Sequence, residues 1–279
     1  MPIGSYPAVL GHEGAGVVLQ VGRGSINRSL APGDTVLLSF HSCRKCRACV
    51  DNRNGGCPHM TETNFIQTGR RGTEKPTPIS LPDGTPVHGK FFGQSSLSKL
   101  AIVAESSVVK VDVHPDELGH LAPLGCGYLT GAGTVFNALD IKSEDRVAIL
   151  GMGAVGLAAM MAAKSLGVRD VVAIDIVDAK LQTASALGAA YTVNSSSFPD
   201  TDAAIRHTFP DGADKIVDTT GVPAVLEAAV KALSHEGTLA LVGVPPPTGT
   251  LQINALDLLL SCKRIIGVIE GFANPQKVQ

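Results

Sequence analysis

The stretch R146-VAILGMGAVGLAAMMAAKSLGVRDVVAI-D175 decides how the rest of the chain is read. Val147–Leu150 is a short apolar run of the kind that forms a strand buried on both faces. Gly151, Gly153 and Gly156 follow as G-x-G-x-x-G, and an Ala- and Met-rich segment from about Val155 to Leu166 reads as a helix. A second apolar run, Asp170–Ile174, ends in Asp175. In this order the parts fit a dinucleotide: Gly151 allows the turn, Gly153 lets a pyrophosphate approach the backbone, and Gly156 lets helix and strand pack closely. The helix N-terminus offers N–H groups to the phosphates. Asp175 is placed to accept both adenosine ribose hydroxyls and to repel a 2′-phosphate, which favours NAD over NADP. A lone G-x-G-x-x-G carries little weight among 31 glycines; the sequence strand, turn, helix, strand, acid carries much more.

Outward from this unit the chain keeps alternating. Helical Thr130–Leu139 precedes it. After it come helix Asp178–Leu187, strand Tyr191–Val193, helix Thr201–Thr208, strand Lys215–Asp218, helix Ala224–Leu233 and strands Thr238–Val242 and Arg264–Val268. Such alternation predicts a doubly wound parallel sheet of α/β class. Before about residue 110 the pattern is different. Residues 14–22, 31–38 and 108–113 read as short strands with turns, and Gly and Pro are dense from Gly69 to Gly93, which reads as a long loop. A β-rich first half and an α/β second half are expected.

Composition narrows the function. At 279 residues the chain has room for two domains. A net charge of −2 implies no nucleic-acid partner. Apolar runs are too short for a membrane span, and no secretory signal is visible at the start of the sequence. Four of the six cysteines crowd into Cys43, Cys46, Cys49 and Cys57, spaced C-x2-C-x2-C-x7-C. That pattern points to metal ligation in a reducing, cytoplasmic compartment. Four thiolates close the shell of a structural zinc, whose negative charge Arg44, Lys45 and Arg47 would offset. An iron–sulfur cluster is the lesser alternative, because the last gap is longer than in bacterial ferredoxins. Cys262 matches no motif and reads as core.

Taken together, PAVLGHEGAGVV at 7–18, GDTV at 33–36, the cysteine loop, FFGQSSL at 91–97, PLGCGYLTGAGTVFNAL at 123–139, the glycine fingerprint and LVGVPP at 241–246 resemble the zinc-containing medium-chain alcohol dehydrogenases, especially their aryl-alcohol branch. The resemblance implies a GroES-like domain over residues 1–122, a Rossmann domain over 123–269, and the start of a returning segment over 270–279. It implies an active site in the cleft between the two domains, homo-oligomers, and hydride transfer between NAD and a primary alcohol–aldehyde pair. His12 and Cys126 are assigned by it as ligands of a catalytic zinc, with Glu13 tuning or transiently binding the metal. It also places Asp175 and Lys180 on the adenosine ribose, Ile176 against adenine, and Thr130, Val155, Val242 and Val244 near the nicotinamide. Thr220 and Gly221 border the cofactor. As plain structure, Val155, Val242 and Val244 would be core and Lys180 a solvated charge.

Family members carry, upstream of the Gly-His-Glu motif, a Cys-x-Thr or Cys-x-Ser whose cysteine is the third catalytic-zinc ligand; this sequence does not contain it. The expectation is therefore a fragment shortened at both ends, in which only His12 and Cys126 remain as family ligands; two protein ligands rarely hold a catalytic zinc, and a swing of Glu13 into the third position is the alternative. Arg44 stands where the family usually has Gly. Two rivals follow: an NAD-binding, structural-zinc remnant without catalysis, and a zinc-independent enone or quinone reductase of the same superfamily. Retention of His12, Glu13 and Cys126 argues against the second.

Overall fold

The computed structural model describes residues 6–23, 29–65 and 79–277, and the chain forms two compact units. The first comprises residues up to Leu129 together with Ala273 onward; the second is Thr130–Phe272. The dense Gly/Pro stretch from Gly69 lies partly outside the described residues.

In the first unit, β1 (Ala15–Val17), β2 (Thr35–Leu38) and β3 (Val108–Lys110) form an antiparallel sheet in that order. The strands are shorter than the sequence runs that announced them, since Gly, Pro and charged residues interrupt each one. Among the described residues between β2 and β3 are the short helices α1 (Arg47–Val50) and α2 (Met60–Asn64); α3 (Leu118–Leu121) follows β3. Phe40, Met60, Phe65, Phe91, Phe92, Leu129 and Ala273 form one apolar cluster. Residues 273–277 belong here by hydrogen bonding: Gly55 N donates to Ala273 O at 3.2 Å and Gln276 Nε2 to Val108 O at 3.3 Å.

α4 (Gly127–Gly133) passes directly into a π-helical segment, Thr134–Ala138. The second unit then alternates as its periodicity predicts. In order come β4 (Val147–Leu150), α5 (Ala154–Ser165), β5 (Val171–Asp175), α6 (Asp178–Ala186), β6 (Tyr191–Asn194), α7 (Thr201–Thr208), β7 (Ala213–Asp218) and α8 (Pro223–Lys231). β8 (Leu233–Leu241), α9 (Ala255–Leu260) and β9 (Arg264–Gly267) complete it. β8 starts earlier than the apolar run suggested, because Leu233 pairs with Ala213 before Glu236 turns the strand through φ +61°.

All six strands are parallel, in the order β6-β5-β4-β7-β8-β9. Odd positions Val147, Ile149, Val171 and Ala173 face one core with α5, while even positions Ala148, Leu150, Val172 and Ile174 face another with α7 and α8. This two-sided burial is why β4 and β5 read as continuous apolar runs. Among the described residues no helix is long and apolar enough to cross a membrane. Cys262 corrects the sequence reading. It is exposed, in the turn between α9 and β9 at φ +53°, so it is not core.

At the amino ends of β4, β7 and β8 a polar clamp closes the sheet. Asp214 accepts from Arg146 Nε and Nη2 at 3.0 and 2.9 Å and from Ser234 Oγ at 2.6 Å. Burial pushes the Asp214 carboxyl up, but Arg146 and Ser234 outweigh it and bring the pKa down to about 2. A depressed carboxylate contributes stability that is present above its unfolded pKa and lost as pH falls toward the folded one. Asp214→Asn should therefore cost about 1–2 kcal/mol at neutral pH, discounted for partial solvent access. Urea titrations should show the difference from wild type shrinking between about pH 4 and pH 2; a gap that stays constant across that window would refute this account.

Candidate metal and cofactor sites

The four clustered cysteines are brought together by β2, the first turn of α1 and a tight turn at Asn54–Gly56. Cys43 Sγ and Cys49 Sγ lie 4.0 Å apart, Cys46 Sγ and Cys57 Sγ 3.9 Å, and all four sulfurs are within 4.8 Å of one another. Thiolates at about 2.3 Å from a tetrahedral zinc are separated by about 3.8 Å, so the cage fits that ion. Burial and the Cys46 thiol push the Cys49 thiol up to about 12. At Cys43 the same burial is overcome by the N–H groups of Lys45 and Cys46, which bring it to about 6. Four sulfurs this close ionise together only around a cation. Arg47 pairs with Asp51 at 3.6 Å rather than resting on a sulfur. Arg44 holds φ +57°, a left-handed conformation that favours glycine.

His12, Glu13 and Cys126 form a second cluster, each offering one donor atom within 4.8 Å of the others. Two contacts bring Cys126 to the end of β2. Ser39 Oγ donates to Gly125 O at 2.5 Å, and a Cβ on Gly125 would overlap the Leu38 carbonyl. This is why residues up to Leu129 fold with the first unit. The FFGQSSL stretch forms the bed under His12. The imidazole lies tilted on Phe92 at 4.7 Å and edge-on to Phe91 at 5.9 Å. Gln94, buried, donates through Nε2 to His12 O at 2.9 Å and Ser39 O at 3.1 Å. Glu13 Oε1 accepts from Gly127 N at 3.1 Å, so the carboxylate is tethered beside Cys126.

In the second unit the fingerprint sits at the carboxyl end of β4. Gly151 has φ +89°, and a Cβ on Gly156 would overlap the Gly151 carbonyl, so neither position accepts another residue without movement. Gly153 is exposed, and a Cβ there would meet nothing within 4 Å, leaving the open space over the turn that a pyrophosphate needs. Asp175, 7% exposed, ends β5. Its Oδ2 accepts from Met152 N at 2.7 Å, and its Oδ1 accepts from Ile176 N and Val177 N at 2.8 and 2.9 Å. Lys180 Nζ stands 3.6 Å from it. Burial raises its pKa, but the Met152 and Val177 N–H groups and Lys180 bring it below the usual carboxylate value.

The remaining cofactor candidates also follow strand ends. Thr220 and Gly221 come after β7, and Val242 and Val244 after β8. Val155 is half-buried in the first turn of α5. Val242 packs against the core, whereas Val244 and Ile176 are 66% and 68% exposed, unlike core residues. Thr130 is buried in α4.

Residues 1–113 match the alcohol dehydrogenase GroES-like domain family, and residues 154–278 match the zinc-binding dehydrogenase family. A geraniol dehydrogenase from Castellaniella defragrans is 39% identical over 274 residues, covering 97% of this chain and 71% of that protein. The chain belongs to the zinc-containing medium-chain alcohol dehydrogenase family. Two solved structures agree. An alcohol dehydrogenase zinc-binding domain protein from Burkholderia ambifaria superposes with a TM-score of 0.89 at 38% identity, over 99% of this chain and 72% of that one. Benzyl alcohol dehydrogenase from Acinetobacter calcoaceticus gives 0.86 at 37%, over 100% and 73%. Membership in this alcohol dehydrogenase family makes the protein an oxidoreductase of a zinc- and nicotinamide-dinucleotide-using kind.

Within this dehydrogenase framework the fold reveals residues that motif reading passed over. Asp218, fully buried at the end of β7, accepts from Thr220 Oγ1 at 2.6 Å and Gly221 N at 2.9 Å, fixing that loop. Burial pushes its carboxyl up. Thr219 Oγ1 donates to Leu150 O at 2.8 Å and Gly151 O at 3.0 Å, bracing the glycine turn. The Asp-Thr-Thr-Gly order was the available signal, an acid followed by turn residues.

Proposed function

We propose that this chain is an NAD-linked, zinc-dependent dehydrogenase interconverting primary alcohols and aldehydes, with benzylic and allylic alcohols as its substrate class. The observation that carries the reading is the convergence of His12, Glu13 and Cys126, which offer an imidazole nitrogen, a carboxyl oxygen and a sulfur. This is a donor set that suits a catalytic zinc. The substrate class draws on relatives named for geraniol and benzyl alcohol, both primary alcohols with unsaturation next to the carbinol carbon.

When bound, the zinc makes an alcohol hydroxyl more acidic, and the nicotinamide supplies the hydride acceptor. His12 and Cys126 would hold that metal, with Glu13 as third donor. The ring contacts of Phe91 and Phe92 keep the imidazole from turning away. Cys43, Cys46, Cys49 and Cys57 would hold a second, structural zinc. Gly153 leaves the space that a pyrophosphate would take, while Gly151 makes the turn and Gly156 lets α5 pack against it. Asp175 takes the adenosine ribose, and its fixed negative charge selects NAD against NADP; Lys180 tempers that charge. Exposed Ile176 covers adenine. Thr130, Val155, Val242 and Val244 line the nicotinamide half, bordered by Thr220 and Gly221. Association into homo-oligomers and a cytoplasmic location complete the reading.

The test pairs zinc analysis with alcohol-dependent formation of reduced nicotinamide from benzyl alcohol and geraniol. His12→Ala is expected to lower kcat/KM by about a thousandfold or more while leaving NADH binding in place. NADH binding without turnover above that variant would convert the reading to a cofactor-binding remnant. Activity surviving removal of the metal would favour the zinc-independent reductase.

A further inference from the structure

Hydrogen bonds from three segments converge on the residue that follows β2. Ser39 is buried, and its N donates to Ser107 O at 2.8 Å. Its carbonyl accepts from Gln94 Nε2 at 3.1 Å, and its Oγ donates to Gly125 O at 2.5 Å. Backbone and side chain of Ser39 are thus all engaged, each by a different part of the first unit.

Gln94 is the second member of this group. Its Nε2 reaches His12 O at 2.9 Å as well as Ser39 O. Carbonyl oxygens only accept, so the NH2 end must be the one that faces them, and Oε1 points the other way. There Oε1 is buried and finds no hydrogen-bond partner among the described residues. A Cβ on Gly14 would come within 2.8 Å of it, so the glycine after His12 and Glu13 leaves the room that the amide takes. An orphaned buried oxygen is costly, and it calls for an explanation at the other end of the side chain. That end ties together the two segments carrying clustered donors. Gln94 holds the carbonyl of His12, Ser39 holds the carbonyl just before Cys126, and Gln94 and Ser39 hold each other. Glu13 is tethered separately, through Gly127 N.

We propose that Gln94 and Ser39 are positioning residues for the His12–Glu13–Cys126 cluster, fixing the separation of His12 and Cys126 through the main-chain carbonyls of their segments. The proposal rests on the catalytic-zinc reading above. Donors that must meet at one ion bind it well only when their backbones are already held in place, and groups behind the ligands supply that hold. Neither residue belongs to the donor set; both act through the backbone that carries a donor.

Cobalt(II) titrated into the full chain, with zinc already in the four-cysteine cage, tests this. The readout is the absorbance of a cobalt–thiolate centre, and Cys126→Ser is the blank for metal exchange at the cage. Gln94→Met, similar in length but without the N–H donors, should weaken cobalt binding about tenfold or more, and Ser39→Ala should do the same. The double variant should lose little more than either single one, because one cut already breaks the tie. Zinc held by Cys43, Cys46, Cys49 and Cys57 should stay at the wild-type amount in each, which separates a lost position from a lost fold. If one variant fails to keep that zinc, the other carries the comparison. Wild-type cobalt affinity in a variant that keeps its zinc, or losses that simply add in the double variant, would overturn the proposal and leave the two residues as local supports. A wild-type chain that takes up no cobalt beyond the Cys126→Ser blank would instead remove the catalytic-zinc reading, and this proposal with it.

Discussion

Stripping the metal from the Cys43–Cys57 loop is expected to melt that part of the first unit while the second unit's transition persists. The helices that hold this loop are short: α1 and α2 span only four and five residues, too short to persist without tertiary support. Zinc binding by such cages contributes about 10–16 kcal/mol in small peptides. A domain's whole stability is about 5–15 kcal/mol, so even part of that contribution is decisive. Calorimetry with and without chelator under reducing conditions, with zinc quantified, should show the lower transition collapse. Cys49→Ser should reproduce it, and Cys262→Ser, at an exposed position, should not. An unmoved transition in protein verified to be zinc-free would sink the structural-zinc reading.

Asp175→Asn should separate the two duties of that side chain. Asn can still accept from Ile176 N and Val177 N, but its amide would confront the Met152 N–H that Oδ2 now accepts at 2.7 Å. Leaving that buried donor unpaired should cost about 1–3 kcal/mol in chemical denaturation. Loss of the charge should weaken NADH binding by more than about tenfold, measured by titration. It should also narrow the preference over NADPH, since nothing would then repel the 2′-phosphate. An unchanged preference would show that Asp175 only braces the glycine turn.

The two halves of the chain differed in how much their sequence revealed. Val147–Leu150 and Thr201–Thr208 form their elements as read, because a strand buried on both faces and a capped amphipathic helix each leave a local pattern. Asp200, for instance, caps α7 by accepting from Ala203 N at 2.9 Å. In the first unit the same reading overestimated strand length, and α1 and α2 left no periodicity to detect. Short helices there are held by cysteines and by aromatic contacts from Phe91 and Phe92, and these partners come from distant segments.

By itself, the sequence determined the parallel sheet, the glycine turn and its terminal acid, and the four-sulfur spacing, since each depends on neighbours within a few residues or one strand–helix unit. Only the tertiary structure decided which distant groups meet. Gly125 pressed onto Leu38 carries Cys126 to His12 and Glu13, and Gln94 bridges His12 to Ser39. Such meetings follow from backbone approach and packing across the fold, which no local pattern of residues records.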